Sequence, residues 1–225
     1  MSTPLTLTDA ARTFRKSPTP WMIAAMLVAA TASRIALGNW QITDALVPLV
    51  MIAVFPFVEW TIHVFILHWK PRKIAGITID SRLARSHREH HASPRTVPLI
   101  FIPWQTLLIV IPVLATIALL VFPRIELALT FLTCISVIGL IYEWTHFLIH
   151  SDYKPKTALY KSVWRNHRNH HFKNEHYWFT VTTAGTADRV LGTCPDPKSV
   201  ETSPTAKNLH GDTSNLPTAG NNHIR

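Results

Sequence analysis

Residues 45–68, ALVPLVMIAVFPFVEWTIHVFILH, and residues 125–150, IELALTFLTCISVIGLIYEWTHFLIH, decide how this chain is read. Each is a long apolar run that closes on the same signature, Glu-Trp-Thr followed by two histidines: Glu59, Trp60, Thr61, His63 and His68 in one, Glu143, Trp144, Thr145, His146 and His150 in the other. Runs of this length cross a bilayer as helices, because about 20 residues rising about 1.5 Å each cover the hydrocarbon layer. Two more such runs flank them. The first follows Trp21 and is broken only by Arg34, which is expected to snorkel to the interface. The other, from Val97, carries Pro103 and Pro112, which are expected to kink it. The predicted spans are 21–37, 45–67, 97–122 and 125–149. Three further runs follow the first, so it reads as a retained span and not as a cleaved signal.

Composition agrees. Of 225 residues, 48% are hydrophobic and only 16% charged, too apolar for a soluble domain. The links 38–44 and 123–124 leave room for tight turns only, which predicts two antiparallel helical hairpins in an all-α integral membrane fold with four transmembrane helices. The net charge of +9 lies between the apolar runs and not on one face, so no nucleic-acid partner is expected. Of the 22 Lys and Arg residues, three lie before Pro18, seven between Trp69 and Arg95, ten after His150 and only one in the two short links. The positive-inside rule then puts both termini and the large loop in the cytoplasm. The expected organisation is a cytoplasmic tail (1–18), a membrane domain (19–195) whose segments 68–96 and 150–195 form a helical, histidine-rich cytoplasmic cap, and a polar, disordered tail (196–225). Cys134 and Cys194 sit in surroundings too different to suggest a bridge.

The repeat continues past the spans. His68 is followed nineteen residues on by His87, then His90 and His91; His150 is followed seventeen residues on by His167, then His170 and His171. Each half thus supplies five histidines, an arrangement suited to a pseudo-symmetric site with two metal ions. His146 and His150 lie one helical turn apart and share a face. His63 and His68, five apart, diverge by about 140° on a regular helix, so the span must end or bend between them. In each cluster the first histidine can pair with either member of the doublet, and the doublet itself diverges by about 100°, enough to reach different ions. Imidazole suits iron, zinc, copper or nickel, so spacing says metal without naming it. Glu59 and Glu143 lie inside spans, where carboxylates are costly; they are expected either to hydrogen-bond ligand imidazoles or to be solvated at the interface. His176 reads as an extra ligand, a supporting donor or a surface residue, and His210 and His223 as surface residues.

The order His63-x4-His68, His87-x2-His90-His91, His146-x3-His150, His167-x2-His170-His171 resembles the histidine boxes of the fatty acid hydroxylase superfamily of membrane di-metal enzymes, which includes sterol desaturases. The segment after the last box, with His170-His171-Phe172-Lys173-Asn174, Phe179-x-Val181-Thr182 and Asp188-x-Val190-x-Gly192-Thr193, is most similar to the fatty acid 2-hydroxylase branch. The resemblance covers about residues 45 to 195. It implies O2-dependent insertion of one oxygen atom into a C–H bond of a membrane lipid's acyl chain at a centre of two iron ions, with zinc an alternative occupant in isolated protein. Eukaryotic members of that branch often carry a fused cytochrome b5 domain, for which this chain has no room, and the expected location is the plasma membrane of a bacterium. No dinucleotide fingerprint or iron–sulfur cysteine set is present, so electrons are expected from a separate donor of reductase, ferredoxin or cytochrome b5 type. Arg85, Arg88, Arg165 and Arg168 are candidates for lipid headgroup contact. The alternatives are a desaturase or a sterol or carotenoid oxidase using the same centre, or a membrane metal transporter or sensor. Transport would place polar residues along a mid-membrane path, whereas these histidines gather at one end of the spans.

Overall fold

The structure, a computed structural model, describes residues 5–211. Helix α1 (Leu7–Phe14) starts at a Thr6 cap and leads directly into α2 (Pro18–Leu37). Helix α3 (Leu46–Ile62) continues through a π turn (His63–Leu67) into an exposed two-stranded hairpin, β1 (Arg72–Ile74) and β2 (Ile77–Ile79). Then come α4 (Arg82–Ala92), a short α5 (Val97–Ile100), α6 (Trp104–Val121), α7 (Ile125–His150), α8 (Ala158–Phe172) and a short α9 (Thr186–Val190). The fold is mostly helical, the β hairpin being the only sheet among the described residues.

Four segments are long and apolar enough to cross a membrane: Pro18–Leu37, Ile42–Leu67, Val97–Val121 and Ile125–His150. Their outward faces carry Leu120 at 80%, Ile52 at 68% and Ile109 at 68% exposure, a surface that only lipid can cover. The chain is a multi-pass membrane protein. Where the spans meet, α7 is the hub: α2 packs along it most extensively, and α6 and α3 also lean on it. The predicted pairing of the first two spans is therefore not what forms. A cavity lined by Ile23 and Met26 of α2 and by Phe55 and Ile62 of α3 keeps these two helices apart.

At the ends away from the histidines the spans are tied by charge. Arg34, expected to snorkel, is instead buried: its guanidinium donates to Asp44 at 2.6 Å, and Arg124 donates to the other carboxylate oxygen at 2.7 Å. One carboxylate thereby bridges α2, the following turn and the α6–α7 link, which is how two arginines are tolerated there. Ala30, Ala118, Ala128 and Leu132 form a buried cluster between the spans, the three alanines letting the helices approach.

Pro103 ends the short α5 and caps α6 instead of kinking one continuous helix; Pro112 lies inside α6. The break at 101–103 frees backbone groups that hydrocarbon cannot satisfy. Three of them find side-chain partners: Ile102 N–H donates to Glu143 (3.1 Å), Ile102 C=O accepts from Thr19 (2.7 Å), and Ile100 C=O accepts from His146 Nδ1 (2.7 Å). The expected disordered tail also departs from prediction over its described part. Ala206 and Leu209 are buried, and Ser203 and Thr205 donate to the buried carboxylate of Glu175, so residues 203–209 fold back over the histidine helices. Residues 212–225, including His223, lie outside the described residues.

Candidate metal centre

All ten histidines singled out by spacing converge at one end of the bundle. They form two groups, His63, His68, His87, His91 and His170, and His90, His146, His150, His167 and His171; within each, one ring nitrogen per residue lies within 4.8 Å of the others. Nine of the ten are buried and His68 partly so. The groups touch: His91 of the first stacks on His171 of the second with ring centroids 4.1 Å apart.

The halves of the repeat do not make one group each. Helix α4 sends His87 and His91, one turn apart, to the first group and His90 to the second. Helix α8 sends His167 and His171 to the second and His170 to the first. The 100° divergence of each doublet thus splits it between groups, and each group is completed by one imidazole from the opposite half. The His63–His68 mismatch is resolved by the π turn, in which His68 N–H donates to His63 C=O at 3.0 Å, an i to i+5 bond that brings both rings to the same side with centroids 5.0 Å apart.

The donor set fits a pair of metal ions. Nε2 atoms face one another at 3.1–3.2 Å, as in His63–His87, His68–His170, His90–His150 and His167–His171. Neighbouring ligands at about 2.1 Å from an octahedral ion would be separated by about 3.0 Å, close to those spacings. Three rings are fixed in the tautomer that ligation needs. His91, His146 and His170 donate Nδ1–H to the carbonyls of Ala206, Ile100 and Tyr177 (2.9, 2.7 and 2.8 Å), leaving Nε2 as a lone pair. Outside the spans, burial first and neighbouring imidazoles second hold His68, His87, His90, His91, His167, His170 and His171 well below the ordinary histidine pKa, in the neutral form that binds metal.

Neither intramembrane glutamate meets an imidazole, nor is either solvated. Glu59 accepts from Thr182 N–H (2.9 Å), Thr182 Oγ1 (2.8 Å) and Thr183 Oγ1 (3.0 Å). Glu143 holds the broken span at Ile102, so backbone carbonyls take the orienting part expected of the carboxylates. His176 is a surface residue, 72% exposed, with its ring beside Glu175. The segment after the last box is knotted by buried Asp188, which accepts from Phe179 N–H, Thr180 N–H, Thr180 Oγ1 and Thr193 Oγ1. Thr193 in turn accepts from Trp60 of the first signature at 2.9 Å. Nothing local in the sequence around Asp188 and Thr193 signals this role, since their partners Phe179, Thr180 and Trp60 are brought to them by the fold.

An apolar cavity of about 230 Å³ runs up between α2, α3, α6 and α7 to His63 and Tyr142. A smaller space of about 30 Å³ beside His87, His90 and His146 shares Leu67, Leu83, Ile102 and Tyr142 with it, so the two are neighbours across these side chains. Tyr142 was not singled out, since a tyrosine within an apolar run carries no signal of its place. The basic candidates for headgroup contact are occupied or remote. Arg88 is buried against Asp80 (2.7 Å), Arg85 shares that carboxylate, Arg168 lies over Trp164 and Phe172, and Arg165 lines neither space.

A sequence model of the fatty acid hydroxylase family matches residues 48–193, which contain all ten histidines. Two plant relatives are similar. The dihydroceramide fatty acyl 2-hydroxylase FAH2 of Arabidopsis thaliana is 27% identical over 148 residues, covering 63% of this chain and 57% of its own length. FAH1 of the same plant is 28% identical over 165 residues, covering 68% and 63%. The chain therefore spans about three fifths of the curated relatives it matches. Among solved structures, the hydroxylase domain seen in full-length scs7p superposes with a TM-score of 0.64 at 19% identity, over 83% of this chain and 68% of that one, a likeness of fold. Both of these sequence relatives are plant proteins and lend no support to a bacterial location.

Proposed function

The chain belongs to the fatty acid hydroxylase family, and on that premise we propose that it is a membrane-bound, O2-dependent hydroxylase of lipid acyl chains whose ten clustered histidines hold two iron ions. The observation that carries the proposal is the meeting of two five-histidine groups, one member of which, His63, lines an apolar cavity among the spans. His63, His68, His87, His91 and His170 would hold one ion and His90, His146, His150, His167 and His171 the other. The pair, when bound, supplies activation of dioxygen and the oxidising power to break a C–H bond.

The protein's own part is positioning and exclusion. The walls of α2, α3, α6 and α7 take an acyl chain directly from the bilayer, so the substrate never crosses water. Tyr142 and Leu67 line the cavity beside His63 and the small space beyond it, and their bulk limits which methylenes approach. The carbonyls of Ile100, Tyr177 and Ala206 would keep three ligand rings aimed at a bound ion. Residues 203–209 and the Asp188 loop cover the centre from the other side and keep water out. The activity named for the two plant relatives supports an N-acyl chain, as in a dihydroceramide, as the substrate class. Electrons come from a separate donor of reductase, ferredoxin or cytochrome b5 type, and the histidine end and both termini face the cytoplasm, as the distribution of Lys and Arg supports.

The test is lipid mass spectrometry of membranes with and without the protein under labelled dioxygen, alongside metal analysis of the purified chain. A hydroxylase leaves one labelled oxygen in the acyl chain, and His90→Ala or His170→Ala abolishes it. Label found only in water beside a new double bond would make the chain a desaturase. Metal passage across vesicles without any lipid product would make it a transporter.

A further inference from the structure

A third space lies at the histidine end of the spans, where α1 turns into α2 and faces the start of α6. This groove, of about 540 Å³, is lined on one side by Thr13, Lys16 and Ser17 and on the other by Ser86 and Gln105. It shares Ser86, Phe101, Ile102 and Pro103 with the small space beside His87, His90 and His146, which in turn adjoins the apolar cavity. The three therefore lie in sequence around the broken segment 101–103: a polar groove, the histidines, then an apolar shaft.

The polar lining is unspent. Among the described residues, no side chain of Thr13, Lys16, Ser17, Ser86 or Gln105 hydrogen-bonds within the chain; Ser17 is the N-cap of α2, whose third residue is Pro20 and has no N–H to offer the cap hydroxyl. Thr19, two residues on, is by contrast fully used in holding Ile102. No carboxylate lines the groove, and Lys16 has no ion-pair partner among the described residues, so the site offers hydroxyl, amide and ammonium donors without a competing anion. Such a lining suits a group rich in acceptors and excludes a cationic headgroup. Trp104, on the rim and 44% exposed, is the kind of residue that marks the membrane interface, the depth at which a lipid's polar end resides.

We propose that this groove receives the acceptor-rich polar end of the lipid, an amide carbonyl with neighbouring hydroxyls or a carboxylate, while its acyl chain bends over Phe101 and Ile102 into the shaft. Lys16 and Gln105 are then positioning residues that fix which carbon stops at the histidines: one close to the polar end, because the groove and the small space share a wall. The proposal rests on the hydroxylase reading. It also replaces the basic cap residues, whose guanidiniums are engaged or remote, as the headgroup contacts.

The test uses the purified full chain in nanodiscs and photoreactive lipids, a dihydroceramide and a free fatty acid, each carrying a diazirine either at the polar end or at the acyl terminus. Crosslinks are mapped by mass spectrometry, a readout independent of metal and turnover. Polar-end probes are expected to label residues 13–17 and 104–105, and acyl-terminal probes α6 and α7 near Leu114 and Ile135. Whichever lipid labels the groove identifies the source of its polar group. In Lys16→Glu/Gln105→Leu, groove labelling should fall at least about fivefold, the effect of losing even one solvent-exposed hydrogen bond, with acyl-terminal labelling unchanged. Polar-end labelling confined to Arg85, Arg165 or the α8 surface, with the shaft still labelled, would overturn the groove and leave the hydroxylase reading standing. Failure of both probes to label would overturn both.

Discussion

Deleting Phe65 should leave metal binding intact, whereas inserting one alanine after it should destroy the first metal site. On a regular helix each residue turns about 100°, so residues five apart stand about 140° apart and residues four apart about 40°. The π turn His63–Leu67 exists because the first half has His-x4-His where the second has His-x3-His at His146 and His150. Phe65 lies within it and is 60% exposed toward lipid, so its removal empties no core. The shortened segment can close as ordinary α-helix with both histidines on one face, and the missing rise of about 1.5 Å falls on residues 69–71, which have no regular structure. An added alanine puts the histidines six apart, about 240° around a regular helix, with His68 turned away from His170. Metal content after dialysis against graded chelator, read by elemental mass spectrometry, decides the matter. The deletion should keep two ions per chain; the insertion should lose one at a chelator concentration at least about tenfold lower, as loss of a ligand demands. If the deletion released its ion as easily as the insertion, the π turn would not be a device for ligand alignment.

Asp188→Asn places an amide nitrogen among four buried donors, and at about 1–3 kcal/mol for each group left unpaired it should lower the thermal midpoint of the detergent-solubilised protein by many degrees while leaving spectra of surviving metal sites unchanged. Gly139 lines the apolar shaft, and an added Cβ would meet only Ile23 at 3.5 Å, so Gly139→Ala should be neutral; Gly139→Leu should fill the shaft midway along its depth of about 10 Å and shift the product profile toward shorter acyl chains. Metal-stripped protein should lose stability as pH falls below the unfolded histidine value of 6.5. The folded imidazoles are depressed and stay neutral while the unfolded chain takes up protons, so each titrating histidine should cost up to about 1.4 kcal/mol per pH unit; a midpoint flat from pH 7 to 5 would contradict their burial.

The membrane spans and the ten histidines were legible because both signals are strong locally: unbroken apolar runs, and clusters repeated at matching intervals. The need for a bend between His63 and His68 followed from helical period alone, and the π turn meets it. What the sequence could not supply was partner choice over distance. Nothing in Glu59 or Glu143 distinguishes a carboxylate that supports an imidazole from one that satisfies a backbone N–H freed by a broken helix, and it is the break at Pro103 that settles Glu143's partner. The helix pairing failed for a similar reason: a short link between two spans implies adjacency, but the shaft between α2 and α3 sends α2 onto α7 instead. The tail after Pro195 reads as polar on average, yet within its described part Ala206 and Leu209 are buried, Ser203 and Thr205 bond Glu175, and Ala206 C=O accepts from His91.

The exchange of one histidine between the halves has a consequence for assembly. His170 belongs to the repeat that supplies most of the second group, yet its Nε2 lies 3.1 Å from His68 in the first; His90 makes the reciprocal crossing to His150 at 3.2 Å. Had each half furnished its own five ligands, an ion could bind to one half while the other was still unfolded. With the crossing, neither group is complete until α4 and α8 have docked against each other and against both span ends. The binding free energy of an ion held in either group would then act between the halves and stabilise the histidine helices as a unit. It follows that removing a crossing ligand should loosen both halves. In hydrogen exchange of the metal-loaded protein, His170→Ala should raise exchange in α4 as well as in α8, whereas His87→Ala, which removes a ligand of the same group without a crossing, should act mainly on α4.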